Sequence, residues 1–273
     1  ALGPIFQSES HGYDTVDFFR IDSRLGDDAT FDRLATACRE RGIHLMLDGV
    51  FNHVGTGHPL FQAALAGNDP DAEAMFRIHR TEAGVHYDDF EGHQALPALN
   101  HDSPAVVNRG VDVMCHWLRR GASAWRLDAA YAVKPEFWAR VLPRVRTEFP
   151  DVWIVGEVIH GDYPDIVRRS SMDSVTQYEL WKAIWSSLAD VNFYELDWCL
   201  RRHNEFIAAF TPATFVGNHD VTRVASRIGG AKAALAVVLL MTVGGLPSVY
   251  YGDEQAFRGV KTETLGGDAA VRP

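Results

Sequence analysis

Apolar positions along the chain fall into two kinds of segment that alternate from end to end. Short runs rich in β-branched and aromatic residues predict strands at "ALGPIF" (1–6), "GIHLMLDGV" (42–50), "GASAWRLDA" (121–129), "DVWIVGEV" (151–158), "MDSVTQ" (172–177), "ATFVGNHD" (213–220) and "LPSVYYGDE" (246–254). Between them, helical periodicity predicts helices near 28–41, 104–120, 134–148, 162–170, 178–210 and 230–243. Asp28, and Asp102 or Ser103, are suited to cap the first two of these. The strand runs lack strict polar alternation, so they read as strands buried on both faces, in a parallel sheet covered by helices.

Seven strands alternating with helices within 273 residues fit an α/β fold of the (β/α)8 TIM-barrel type better than a doubly wound sheet. The set is short of eight strands and eight helices, and the first strand and last helix are expected to lie outside this chain. Segment 54–103 is too long for an ordinary βα loop. The expected organisation is a partial barrel over 1–53 and 104–273, with 54–103 an excursion over its mouth, a small subdomain.

Composition narrows the partners. With 47% hydrophobic and 23% charged residues the chain is ordinary globular material, and its net charge of −10 disfavours nucleic acid and anionic membrane surfaces. A neutral substrate suits it better. Cys38, Cys115 and Cys199 are too sparse for a disulfide framework and read as buried free thiols. The most apolar stretch, "AALAVVLLMTVGGLPSVYY", is interrupted by Gly244, Gly245 and Pro247 and is too short to span a bilayer. A cytoplasmic location is the expectation; the absence of a signal peptide adds little to it, because the first residue already lies in an apolar, strand-like run and the true N-terminus is expected to lie outside this chain. Oligomeric state is left open.

The chemistry lies where the strands end. In a parallel barrel reactive groups gather at the carboxyl ends of the strands. Asp48 ends "HLMLD", Asp128 ends "SAWRLD", Glu157 ends "WIVGE" and Asp220 ends "TFVGNHD". Singly, each could cap a helix or pair with an arginine. Together, with Arg126, His53 and His219 beside them, they suggest glycoside hydrolysis, in which one carboxylate attacks the anomeric carbon and a second carboxyl group protonates the leaving oxygen. Arg126, two residues before Asp128 on one strand, points the same way and can keep a nucleophile ionised. Burial beside like charges would raise the pKa of Glu157, as an acid requires, and Asp220 could hold sugar hydroxyls. The sequence contains no HxH, HExxH, GxSxG or GxxxxGK motif for competing hydrolase or phosphate chemistry.

Four segments together resemble the α-amylase family of glycoside hydrolases, family 13: "DGVFNH" (48–53), "GASAWRLDA" (121–129), "VGEV" (155–158) and "FVGNHD" (215–220) are similar in order and spacing to its four signatures. "HGYDTVDFFRIDSRLG" (11–26) resembles the family's loop after the second strand, and "GGLPSVYYGDE" (244–254) its eighth strand. The resemblance implies Asp128 as nucleophile, Glu157 as general acid/base and Asp220 as transition-state stabiliser. It also implies substrate contacts from Tyr13, His53, Arg126 and His219, with Asp48 supporting Arg126. Asp14 and Arg272 would clamp a non-reducing sugar end, and His160 falls two positions beyond "VGEV" in the region of substrate contacts.

The departures are informative. Where calcium-dependent α-amylases continue with Lys-His, this chain has Tyr131-Ala132, so the motif does not support calcium, Asn52 alone being too little; no cofactor is expected to be required, with calcium left as a possible ligand. "LPALN" (96–100) is closer to the MPKLN of neopullulanases and cyclomaltodextrinases than to the QPDLN of oligo-1,6-glucosidases. Ala129 resembles α-1,4-acting members. Trp181 and Trp185 read as helix packing, and His86, His93 and His101 as solvated loop histidines rather than metal ligands. The expected function is a retaining α-1,4-glucosidic hydrolase acting on oligosaccharide or polysaccharide substrate. A transglycosylase or α-glucosidase of the same family is the alternative within this chemistry, and a non-catalytic carbohydrate-binding barrel the alternative outside it.

Overall fold

The chain begins with an antiparallel hairpin, not with a strand feeding a helix. Strand β1 (Phe6–Ser8) pairs with β2 (Thr15–Ile21), Phe6 opposite Ile21 and Ser8 opposite Thr15. Expectation placed the first strand at 1–6 and treated 11–26 as loop. The connection 9–14 is too short for the crossover that parallel strands need, so the second run folds back on the first. The computed structural model describes residues 1–82, 84–262 and 267–272. These form two units, Ala1–Glu157 with Arg168–Met172, and Val158–Val167 with the chain from Asp173 onward.

In the first unit α1 (Asp28–Glu40) is capped by Asp27, whose side chain accepts from the Thr30 amide at 2.7 Å; Asp28, the expected cap, is the first helical residue. Strand β3 (Met46–Gly49) follows. The excursion then runs through α2 (Pro59–Ala66), α3 (Pro70–Glu73), the hairpin β4 (Ile78–Thr81) with β5 (Gly84–Tyr87), and the hairpin β6 (Asp89–Phe90) with β7 (His93–Pro97). Its base is closed by bridges from His53 to Ala98 and from Phe76 to Leu99, and Phe61 packs edge-on against Phe76 and Tyr87 inside it. Helix α4 (Pro104–Arg119), entered through Ser103, leads to β8 (Ala124–Leu127), and α5 (Pro135–Glu148) leads to β9 (Trp153–Gly156).

Strands β3, β8 and β9 are parallel, with Asp48 beside Arg126 and Arg126 beside Val155. Behind them lies an aromatic core of Phe6, Phe18, Phe51, Trp117, Trp125 and Trp138. Trp117 donates from Nε1 to the Phe18 carbonyl at 2.8 Å, so its one polar atom is satisfied inside. Burying each such side chain contributes roughly 1.5–3 kcal/mol, which keeps these strand ends rigid.

The chain continues through α6 (Tyr163–Ser170) and β10 (Ser174–Val175). In the second unit the long helix expected over 178–210 is two helices, α7 (Tyr178–Asp190) and α8 (Tyr194–Ala209). The break comes at Val191, in the left-handed region with φ 52°, and at Asn192, whose side chain accepts from the Tyr194 amide. Strand β11 (Ala213–Phe215) is fully buried and pairs in parallel with β12 (Leu246–Ser248); α9 (Val224–Ile228) and α10 (Gly230–Thr242) lie between them in sequence. Contrary to the expected burial on both faces, β12 is exposed, because among the described residues its only partner strand is β11. Leu180, Ile184, Leu188, Val216, Val224 and Leu240 form the core of this unit. Trp181 and Trp185 serve packing, Trp181 stacked on Phe215 and Trp185 under the Arg227 guanidinium. All three cysteines are free, Cys115 and Cys199 buried and Cys38 half-buried. Among the described residues no helix is long and apolar enough to cross a membrane.

Candidate active site

Register builds the acid cluster. With Asp48 beside Arg126, and Asp128 and Glu157 each one residue beyond the end of a strand, three carboxylates meet one guanidinium. Arg126 donates from Nη1 to Asp48 Oδ1 at 2.9 Å and to Asp128 Oδ1 at 2.7 Å, and its Nη2 lies 2.8 Å from Glu157 Oε1. All four groups are largely removed from solvent. The ladder continues past the strands, with the Asp128 amide donating to Gly49 and the Glu157 amide to Leu127, so neither acid hangs on a free loop.

Charge decides the protonation. Three buried carboxylates against one cation leave an excess of negative charge in a medium that resists it. Burial pushes the Asp128 carboxyl well above its usual range; Arg126 opposes this, while Asp48 and Glu157 add to it. Burial likewise carries Asp48 up to about 6 against the pull of Arg126. The guanidinium expected to hold Asp128 ionised is therefore shared among three claimants, and burial outweighs its pull on Asp48 and Asp128.

Ala129 adds a backbone contact that its side chain does not announce. It adopts the left-handed conformation, φ 46°, and its amide donates to Glu157 Oε2 at 2.9 Å. An alanine there carries a small strain of about 1 kcal/mol. In return Glu157 is held at both oxygens, by Arg126 and by the residue next to Asp128.

Around this cluster, the Tyr13 hydroxyl donates to Asp48 Oδ2 at 3.1 Å. His53, 1% exposed, lies with Nε2 at 3.1 Å from the Tyr13 carbonyl and Nδ1 at 3.1 Å from the Asn52 amide nitrogen, and its ring stacks on Phe90. Burial lowers its pKa to about 4, so the ring is neutral, donating from Nε2 and accepting at Nδ1. Asp14 is buried in its own turn, accepting from the Ser10 hydroxyl and the His11 amide. Burial raises its pKa, but those hydrogen bonds outweigh burial and leave it lowered. The Tyr131 hydroxyl donates to Glu91 at 2.9 Å, at the tip of the β6–β7 hairpin. His86 and His93 are exposed, as expected for solvated loop residues, but His101 is not: its Nε2 bonds the Phe51 carbonyl at 3.0 Å and its ring packs on Phe137. Among the described residues no group of three or more His, Cys, Asp or Glu is arranged to hold a metal.

The second unit carries His160, His219, Asp220 and Arg272. His160 is exposed just beyond β9. His219 Nε2 lies 3.2 Å from Asp220 Oδ2, and the Asp220 amide donates to Asn218 Oδ1 at 2.9 Å. Asn218 in turn donates to the Tyr178 hydroxyl at 2.9 Å. The Asp220 side chain is 34% exposed, far more open than the acids around Arg126. Arg272 pairs with Asp268 four residues earlier.

Residues 1–271 match the family described as alpha amylase, catalytic domain. The chain belongs to the alpha-amylase catalytic-domain family. It is 35% identical over 277 residues to a cyclomaltodextrinase of Geobacillus thermopakistaniensis, covering 94% of this chain and 46% of that protein. It is 32% identical to the intracellular maltogenic amylase of Bacillus subtilis, again covering 94% of this chain and 46% of the relative. A solved cyclic alpha-maltosyl-(1→6)-maltose hydrolase from Arthrobacter globiformis superposes with a TM-score of 0.87 at 29% identity, over 99% of this chain and 63% of that one. The chain thus spans about half the length of the relatives it matches in sequence. As a member of the alpha-amylase family it has the (β/α)8 barrel as its fold class, although hydrogen bonding among its described strands does not run as one continuous ring.

Within this alpha-amylase domain, sequence reasoning missed Phe90, Glu91 and the conformation of Ala129. The first two sit in a polar hairpin with no periodic signal, and nothing about an alanine announces a positive φ.

Proposed function

We propose that the protein is a retaining glycoside hydrolase acting on α-1,4-glucosidic bonds of starch-type glucans or malto-oligosaccharides. The observation that carries this reading is the Arg126-centred cluster, in which the acid and the nucleophile share one guanidinium. Groups so tied stay close, as in retaining enzymes, whereas inverting enzymes keep their carboxyl groups roughly 6.5–9.5 Å apart. Glu157 gives its proton to the glycosidic oxygen while Asp128 attacks the anomeric carbon. The carbon–oxygen bond breaks, the leaving sugar departs with the proton, and a glycosyl ester forms on Asp128. Glu157, now a carboxylate, takes a proton from water, whose oxygen attacks the same carbon and frees Asp128.

Tyr13 is proposed to stack on the reacting sugar, with its backbone carbonyl fixed by His53. His219 and Asp220 are proposed to hold the sugar's hydroxyls, Asp220 favouring the oxocarbenium-like transition state. Asp14 and His160 are proposed as outer substrate contacts, and segment 54–103 as the domain B-like excursion of the catalytic domain. A cytoplasmic location is proposed, in keeping with the relative named an intracellular maltogenic amylase.

The test is digestion of maltotetraose, starch and a cyclodextrin by the intact protein, with product chromatography and proton NMR of the first anomer released. Linear maltose-series products appearing first as the α-anomer are expected. A β-anomer first would remove the double-displacement mechanism, and new, longer oligomers would move the reading to transfer.

A further inference from the structure

Asp220 is followed three residues later by Arg223, and that arginine is buried. Its Nη1 pairs with Asp253 Oδ1 at 3.0 Å, the two side chains being 3% and 0% exposed. The same nitrogen donates to the Tyr251 carbonyl at 2.6 Å, and the guanidinium carbon lies 4.1 Å from the centre of the Tyr250 ring. The Arg223 amide donates to the Gly259 carbonyl at 3.0 Å. One side chain and its backbone thus tie the segment just after Asp220 to residues 250–259.

Asp253 reaches the segment just before Asp220 as well. Its second oxygen, Oδ2, has no hydrogen-bond partner among the described residues. It rests against Gly217, where any Cβ would collide with it. A buried ion pair with an unsatisfied oxygen is a poor stabiliser, since desolvation offsets its attraction and an apolar pair of similar volume serves stability as well. Its use is geometric. A carboxylate wedged between Gly217 and Arg223 touches both ends of the loop whose middle presents His219 and Asp220.

We propose that Asp253 is a positioning residue for the 217–223 loop, holding it through Arg223 on one side and through the space left by Gly217 on the other. The inference rests on the proposed sugar-binding role of Asp220. Asn218, bonded to the Asp220 amide and to Tyr178, sets the local turn, while the Arg223–Asp253 pair sets where that turn stands.

The experiment removes both charges together, Arg223→Met with Asp253→Leu in the intact protein, so that no orphan charge remains. Expected are a melting temperature within a few degrees of wild type, kcat on maltotetraose reduced at least about tenfold with KM raised as well, and faster amide exchange across 217–223. A second cycle covers the case in which that pair fails to fold. Gly217→Ala alone should lower kcat, and the same change should have little further effect once Asp253→Ala has removed the carboxylate it would strike. Wild-type kcat in the paired variant, unchanged exchange across 217–223, or full additivity in the glycine cycle would each overturn the proposal. Should the wild-type protein hydrolyse no glucan, the assigned reaction fails, and the exchange measurement still decides the positioning.

Discussion

Asp128 and Glu157 each stand one residue beyond a strand end, whereas Asp220 stands five residues beyond β11. The first two inherit their positions from sheet register: β3, β8 and β9 are pinned by parallel hydrogen bonds, and the acids can only be where those strands end. Asp220 hangs on a loop, so the second unit supplies anchors of its own in Asn218, Arg223 and Asp253. The electrostatics differ in the same sense. Around Arg126 the acids are buried and crowd one cation, and burial raises the pKa values of Asp48 and Asp128. Asp220 keeps about a third of its side chain in solvent beside His219. Rigid placement is what bond-making and proton transfer need. A more open carboxylate on a tethered loop suits gripping hydroxyls.

The sharpest way to break this contrast is Asp128→Asn. Turnover is expected to fall by about 10⁴-fold or more with oligosaccharide binding spared, read from steady-state kinetics and calorimetric affinity. Asp220→Asn should weaken binding and turnover together. Equal effects of the two changes on affinity would erase the distinction between the regions. Next in size, Glu157→Gln should cost about 10²–10⁴-fold on maltotetraose but far less on an aryl maltoside, whose leaving group needs no proton. An equal loss on both substrates would take the acid role from Glu157.

Asp48→Asn probes the shared guanidinium. With one negative neighbour fewer, Asp128 ionises more readily, so the acid limb of kcat/KM should move down by about one pH unit. A limb that stays in place would show that the cluster does not titrate together. The smallest expected effect concerns stability. Burial lowers His53 and His58 to about 4, so the unfolded chain binds more protons than the folded one, and stability falls as pH drops from about 6.5 toward 4. Asp48, raised to about 6, works the other way, its contribution being full below its unfolded value and lost as pH climbs toward 6. The Asp48→Asn variant should therefore show a steeper fall in melting temperature between pH 6 and 4 than wild type.

Much of this was legible in the linear chain. Strand-end acids, an arginine two residues before one of them, and the strand–helix rhythm all rest on side-chain chemistry and short-range period, and they led to Asp48, Arg126, Asp128, Glu157 and Asp220 as candidates. The single helix expected over 178–210 failed at Val191-Asn192 because a continuous apolar stripe hid a local stop. The loop assigned to 11–26 hid β2, whose Asp17 and Arg20 mask a strand that, among the described residues, pairs on one side only. His101, expected in solvent, is held by a carbonyl fifty residues away in sequence.

Residue types and their spacing along the backbone announced which groups could do sugar chemistry, because strand alternation and helical period are set by neighbours a few positions apart. That Arg126 stands among three carboxylates, that Ala129 turns its amide to Glu157, and that Arg223 meets Asp253 thirty residues on came only from folding. Those contacts depend on strand register and on which charges are driven out of water together, and both are properties of distant segments brought side by side.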